Sequence, residues 1–265
     1  MQNTAIASSI DEFAKRFNFL RDRTLHIGVE REMFLTLNGT IVPHAHKALG
    51  LLHSASDPHG QVSYELSACQ IEGHVGPCGL HKVREELADL ENMLSLGLKD
   101  CGLEHSYAEV APKTMPLDIF PDPTGRYQQI TKEMPREILL AACRIIGTHV
   151  HIGMPDHETA LRVYNAVIHR TEELCRLGDH SEGERLRIYR MVKPDCMPLS
   201  YASWDEFYRD AVAKGFAGNL RNNWSLVRLT KHGTIEFRTF GATGSIDEVC
   251  SWVEMCHRLC AEALR

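Results

Sequence analysis

The strongest constraint in this chain is a pair of polar residues two positions apart, repeated on three strand-like segments: Glu30 with Glu32, His149 with His151, and Glu236 with Arg238. Successive side chains of a β-strand point to opposite faces, so residues two apart share one. From Leu25 to Leu37 the alternation puts Leu25, Ile27, Val29, Met33, Leu35 and Leu37 on one face and His26, Gly28, Glu30 and Glu32 on the other. One such pair is what the solvent face of any half-buried strand carries. Three of them argue against a parallel sheet covered on both faces. They predict an α+β fold, in which a mainly antiparallel sheet keeps one face open and helices pack behind it.

Several helices announce their starts. Ser9 with Glu12, Ser203 with Glu206 and Ser245 with Glu248 have the spacing of capping boxes, and Asp156 is placed to cap another helix. These predict helices over 9–23, from Asp156 to about Gly178, from Ser203 to about Lys214, and after Ser245. Leu80, Val83, Leu87, Leu90 and Leu94 mark a long amphipathic helix ending near Gly102, and a shorter helix covers about 135–145. Strands are expected at 25–37, around a bend within 62–75, at 106–110, at 147–154, and at 224–229 and 234–240. The last two are joined through Lys231-His232-Gly233 as a hairpin. Residues 38–60, with His44, His46, His53 and His59, read as loop with surface histidines; 112–127 reads as a surface loop, and 178–200 as charged and irregular. No repeat or linker divides the sequence, so residues 1–265 are expected to form a single domain.

Carboxylates gathered on one sheet face repel one another unless cations neutralise them. Oxygen donors suit a hard ion, magnesium or manganese, better than zinc. Arg228 and Arg238 on neighbouring strand positions suit phosphate oxygens, which a guanidinium grips in bidentate fashion. The sequence has neither a G-x-x-x-x-G-K-[ST] loop nor a G-x-G-x-x-G fingerprint, and no G-x-S-x-G elbow or His-Glu-x-x-His helix. A bound nucleotide therefore has to be held by metal ions and side chains. The Cys256-His257-x-x-Cys260 cluster has no second cysteine pair at zinc spacing and reads as packed helix residues. The nine scattered cysteines read as free thiols.

Five segments, in order, resemble the signatures of the type 2 glutamate-cysteine ligase family, a group that includes bacterial carboxylate-amine ligases. They are Gly28-Val29-Glu30-Arg31-Glu32, the stretch from Glu65 to Glu72, Arg126-Tyr127, Gly147-Thr148-His149-Val150-His151-Ile152-Gly153, and Gly233-Thr234-Ile235-Glu236-Phe237-Arg238. The resemblance runs from about residue 26 to the C-terminus. It implies a glutamine synthetase/guanido kinase-like fold: a curved, mainly antiparallel sheet with ATP and substrate on its concave face and helices on the convex face. It also implies Glu30, Glu32, Glu65, Glu72, His149 and Glu236 as ligands of Mg2+ or Mn2+, and Arg126, Arg228 and Arg238 as contacts for phosphate or carboxylate. Glu65 and Glu72 differ in strand parity, so both can face the site only around a bend. The family's Ala-Leu-Ser-Ala-Asn-Ser-Pro-Phe stretch is missing here, and residues 175–200 carry a charged segment in its place.

The activity expected is ATP-dependent amide formation through an acyl phosphate. Arg238 would stabilise the transferring phosphoryl group, and His151 or a carboxylate would accept the amine proton. Glutamate or another amino acid is the implied acid substrate, with a small amine as its partner. A guanidino or carboxylate kinase and a non-catalytic nucleotide-binding protein of the same fold are the alternatives. A formal charge of -6 disfavours a general nucleic-acid or anionic-membrane binder. With no apolar run of membrane-spanning length, a cytoplasmic protein is expected. The apolar faces of the terminal helices leave a homodimer open.

Overall fold

The computed structural model describes residues 9–55 and 61–265, without the side chains of 53–55. The strands are β1 (Ile27–Leu37), β2 (Thr40–Ile41), β3 (Val62–Tyr64), β4 (Gln70–Cys78), β5 (Glu104–Ser106), β6 (Thr148–Gly153), β7 (Val227–Leu229) and β8 (Thr234–Phe240). The helices are α1 (Ile10–Ala14), α2 (Ala45–Ala55), α3 (Val83–Lys99), α4 (Arg126–Thr131), α5 (Arg136–Cys143), α6 (His157–Val167), α7 (Thr171–Leu177), α8 (Glu184–Val192), α9 (Trp204–Ala213) and α10 (Ile246–Leu264). The strands form one sheet in the order β3-β4-β1-β6-β8-β7, with β2 and β5 also paired to β1. Every pairing is antiparallel.

One face of this sheet is the core. Ile27, Val29, Met33 and Leu35 of β1, Val150 and Ile152 of β6, and Ile235 and Phe237 of β8 pack in one buried cluster with α3, α6 and α10. Leu87, Leu90 and Leu94 supply the stripe of α3, and Val249, Trp252, Val253 and Cys256 that of α10. Arg31 also lies on this face. It is fully buried, with Nη1 3.4 Å from Glu91 of α3 and its guanidinium 4.2 Å from the centre of the Tyr107 ring. The alternation of β1 thus continues through a charged residue, because a carboxylate and an aromatic face are waiting for it behind the sheet.

The four cap signals hold: the side chains of Ser9, Asp156, Ser203 and Ser245 each accept from the amide three residues on. Other boundaries differ from expectation. The helix expected over 9–23 stops at Ala14, and only a 3₁₀ turn follows at Arg21–Arg23, because the Asn18 amide leaves the helical ladder to donate to Lys231 at 2.9 Å. Gly233, with φ +71°, lets the β7–β8 hairpin lie against Asn18 there. The helix after Asp156 is interrupted by a 3₁₀ turn at Ile168–Arg170, and β7 starts at Val227, later than expected. The strand expected at 106–110 is instead Glu104–Ser106, followed by an isolated bridge from Val110 to Ile145.

Three helices were not expected: α2, α8, and α4, which begins at the end of the stretch read as surface loop. Within 38–60, α2 forms because Ala45, Ala48, Leu49 and Leu52 recur at helical spacing and are all buried. His46 is exposed as expected and His44 half-buried, while the His53 side chain and His59 lie outside the described residues. Within 178–200, α8 buries Arg185, Ile188 and Tyr189 on one face despite its charged sequence. Cys256 and Cys260 are fully buried in α10, and all nine cysteines are free. Among the described residues no helix is long and apolar enough to cross a membrane.

Candidate functional site

The register of the sheet assembles the site in three rows. Ser63, Glu72 and Glu32 face one another across β3, β4 and β1. His74, Glu30 and His149 do so across β4, β1 and β6. His151, Glu236 and Arg228 do so across β6, β8 and β7. Directly opposed side chains on one face of an antiparallel pair have Cβ atoms roughly 4.5–5.5 Å apart. Pairs spaced by two along each strand therefore become a two-dimensional field of charges. Glu65 joins from the turn between β3 and β4, which supplies the bend that its parity demands, and its Oε2 accepts from the Leu66 amide at 3.1 Å.

These groups line a cleft of about 470 Å³ together with Tyr64, Arg126, Tyr127, Arg221, Trp224, Lys231 and His232. All ten residues singled out from the sequence line it: Glu30, Glu32, Glu65, Glu72, Arg126, His149, His151, Arg228, Glu236 and Arg238. Arg221, Lys231 and His74 were missed. Lys231 is hidden in the sequence as a hairpin residue, Arg221 precedes its strand, and the partner of His74 on β1 is known only once the register is.

The two ends of the sheet face differ in charge balance. At the β7–β8 end, Glu236 is fully buried and accepts from Arg238 Nη1 at 2.7 Å and from Arg228 Nη2 at 3.0 Å. Burial alone would raise its pKa, but the charges of Arg228 and Arg238 hold it far below the usual carboxylate range. At the β3–β4 end, burial comes first and is reinforced by neighbouring acids. It pushes Glu72 well above its ordinary value, with Glu30, Glu65 and Glu32 adding to the effect. Glu32 is pushed up to about 8 by burial and the Glu65 charge, and burial raises Glu65 as well.

Glu30 sits between these ends. His149 Nδ1 lies 3.0 Å and His151 Nε2 3.3 Å from its carboxylate. Against the effect of burial, His151 and His149 hold Glu30 well below the usual range. His149 is itself driven down to about 4 by burial and by Arg238. His151 is raised, since Glu30 and Glu236 outweigh its burial, and its Nδ1 is 2.9 Å from Thr234 Oγ1. Elsewhere in the lining, Arg126, Arg221 and Lys231 form no ion pair with any described carboxylate. Burial and the charges of Arg221 and Arg228 push the Arg126 pKa down, and its Nε is buried without a partner.

Three groups of side chains have donor atoms all within 4.8 Å of one another: Glu32-Glu65-Glu72, Glu30-Glu72-His149 and Glu30-His151-Glu236. The first is all oxygen, the donor set of a hard divalent ion. Its three mutually repelling acids, Glu72 buried and Glu32 and Glu65 half-buried, are the arrangement such an ion relieves, so the residues fit the metal implied by the resemblance.

An antiparallel sheet with helices on its core face and this polar field on the other defines an open α+β scaffold. It is shared with solved structures. The chain superposes on a bifunctional glutathione synthetase from Pasteurella multocida with a TM-score of 0.62 at 11% identity, covering 91% of this chain and 39% of that one. It superposes on apo GmaS with a TM-score of 0.51 at 11% identity, covering 96% and 57%. No family model matches the sequence. Curated proteins named "Putative glutamate--cysteine ligase 2" are similar over most of the chain. That of Leifsonia xyli subsp. xyli is 24% identical, covering 94% of this chain and 70% of its own length, and that of Rhodopirellula baltica 24%, covering 86% and 66%. One numbered 2-2 from Mycobacterium sp. (strain KMS) is 30% identical over 67% of this chain and 45% of its own length. The chain thus spans about two thirds or less of the length of most of these relatives.

Proposed function

We propose that the cleft catalyses ATP-dependent joining of a carboxylate to an amine. The observation that carries this reading is one continuous cleft with a cation-demanding acid cluster at one end and unpaired Arg126, Arg221 and Lys231 facing it. That pattern matches a metal-bound polyphosphate. The names of the relatives point to glutamate, or another amino acid, as the acid.

In the first step a carboxylate oxygen attacks the γ-phosphorus of ATP, and the bond to the ADP oxygen breaks. In the second, the amine nitrogen attacks the acyl carbon and phosphate departs with the C–O electron pair. The nitrogen then loses one proton, leaving amide, ADP and phosphate. Magnesium held by Glu30, Glu32, Glu65, Glu72, His149 and Glu236 would neutralise phosphate charge and polarise the γ-phosphoryl group. Arg238 is fixed by Glu236 with its guanidinium over the sheet face, where it stabilises charge on the transferring oxygens. Arg126, Arg221, Arg228 and Lys231 hold the remaining phosphates. His151 is biased toward its charged form by Glu30 and Glu236, so it supplies positive charge beside the phosphoryl group. The amine proton passes to a carboxylate of the cluster.

A screen of amino acids and amines for ADP release, followed by mass spectrometry of the product, tests the assignment. An amide is expected; ADP with a stable phosphorylated product and no amide would select a kinase instead. Glu30→Gln and Arg238→Ala should each lower ADP formation about a hundredfold or more while leaving the circular dichroism spectrum unchanged. Normal turnover in both would sink the assignment.

A further inference from the structure

Helix α8 walls the end of the cleft where Glu32 and Arg238 lie, and its Arg185, Tyr189 and Val192 line a small recess with them. Arg185 is buried, and its guanidinium is engaged with backbone: Nε donates to the carbonyl of Ile146 at 2.7 Å and Nη2 to that of Arg238 at 3.3 Å. Its own place is braced. The Arg185 amide donates to Ser181 Oγ at 3.0 Å, and Asp179, in the loop ahead of α8, accepts from Ser181 Oγ at 2.7 Å and from the Gly183 amide at 2.6 Å. Gly147 makes the room for the guanidinium, since a Cβ there would lie 2.3 Å from Arg185 Nη2.

Both carbonyls belong to peptides that carry the site. The carbonyl of Ile146 and the amide of Gly147 share one planar peptide unit. That amide donates to Glu32 Oε2 at 2.7 Å, and the Glu32 amide donates back to the Gly147 carbonyl at 3.0 Å. Arg185 thus holds one side of a peptide whose other side holds a carboxylate of the acid cluster, and hydrogen bonds aligned in this way strengthen one another. The second carbonyl lies at a break in the ladder. Between the pairs Val150–Phe237 and Thr148–Phe240 the register shifts, so that His149 of β6 faces both Arg238 and Thr239 of β8. An extra residue of this kind bends its strand and re-aims a side chain, at the cost of disturbing the ladder. Arg185 takes up the Arg238 carbonyl there. We propose that Arg185 is a positioning residue for the reaction, fixing through the backbone two groups that meet at this end of the cleft: the Glu32 carboxylate and the Arg238 guanidinium. The proposal rests on the ligase reading given above. Glu236 fixes the Arg238 side chain, and Arg185 fixes the strand that carries it.

The test has a spectroscopic and a kinetic arm, both on the whole chain. In amide NMR spectra of the metal-free protein, Arg185→Ala and Arg185→Lys should move the Gly147 signal, because an ammonium cannot fork to two carbonyls as a guanidinium does. Guanidinium ion at millimolar concentration should restore the signal in Arg185→Ala. The Gly153 amide at the far end of β6, which donates to His26 at 2.9 Å, should stay in place throughout. In ADP release with magnesium, ATP, L-glutamate and L-cysteine, Arg185→Ala should lower kcat roughly tenfold to a hundredfold and leave KM for ATP within about twofold. Guanidinium should raise that kcat again. Gly147→Ala keeps the Arg185 charge but displaces its fork, so it should reproduce the fall in kcat without responding to guanidinium; it decides the matter if Arg185→Ala does not fold. A Gly147 signal unmoved in Arg185→Ala, equal movement of Gly147 and Gly153, a kcat equal to wild type in both variants, or a loss in Arg185→Ala that guanidinium leaves untouched would overturn the proposal. No ADP from wild type with any pair in the screen would instead overturn the ligase reading, and the amide signals would still decide the placement.

Discussion

Glu72 and Glu236 lie on the same sheet face, both nearly closed to solvent, yet their surroundings drive them in opposite directions. Glu236 has two guanidiniums within hydrogen-bond reach, so its charge is balanced within the protein. Glu72 has Glu32, Glu65 and Glu30 as neighbours and the half-buried His74 imidazole 3.3 Å away, with no guanidinium or ammonium within ion-pair distance among the described residues. The difference separates a carboxylate whose charge is balanced within the protein from one whose charge is not. The β7–β8 end is charge-balanced before any ion binds, whereas the β3–β4 end becomes favourable only with protons or a divalent ion.

That contrast can be broken most sharply by removing one charge from each end. Glu236→Gln leaves two half-buried arginines without their counter-charge and should cost roughly 2–4 kcal/mol of stability in denaturant unfolding. Glu72→Gln removes a repelling charge and should leave metal-free stability at pH 8 equal to wild type or higher, while weakening magnesium binding. Similar losses in both variants would erase the distinction between the ends.

The next effect is pH-dependent. The folded pKa of Glu32, about 8, lies above the ordinary value of 4.5. The folded protein therefore binds protons that the unfolded chain releases, and this group's contribution to metal-free stability falls as pH rises from about 4.5 to about 8. A divalent ion binds the ionised form and removes that penalty. The increase in melting temperature on adding magnesium should be larger at pH 8.5 than at pH 6; an equal increase at both would contradict the placement of the ion among Glu32, Glu65 and Glu72. A smaller effect is expected on the cationic wall. Arg221→Gln and Lys231→Gln, both on exposed side chains, should each weaken nucleotide binding roughly fivefold or less, more so at low salt, with metal binding unaltered. Loss of metal binding in either would mean that the two ends are not separate.

The legibility of the sequence divides along similar lines. Period-two alternation exposes the strand residues Glu30, Glu32, His149, His151, Glu236 and Arg238, because a one-residue slip would bury them in the core. The order of strands, and with it the rows that join Glu72 to Glu32 and His151 to Glu236, depends on long-range pairing that no local pattern encodes. Helix α8 was concealed for a different reason. Its buried face includes Arg185, whose guanidinium is satisfied by distant carbonyls, so a polarity-based reading counts as surface what the fold uses as a wall. Arg31 shows the same effect on β1, where Glu91 and Tyr107 take up a charge inside the core. The strand pairs of the polar face could thus be read from spacing, Glu65 and Glu72 entered only through the family resemblance, and the wall that α8 makes could not be read at all.

The central claim is that the acids at the β3–β4 end hold a divalent ion. Anomalous scattering from crystals soaked in manganese addresses it most directly. A peak within coordinating distance of Glu32, Glu65 and Glu72, abolished by Glu72→Gln, is the predicted result. Manganese bound elsewhere, or no peak among these three carboxylates in wild type, would contradict it.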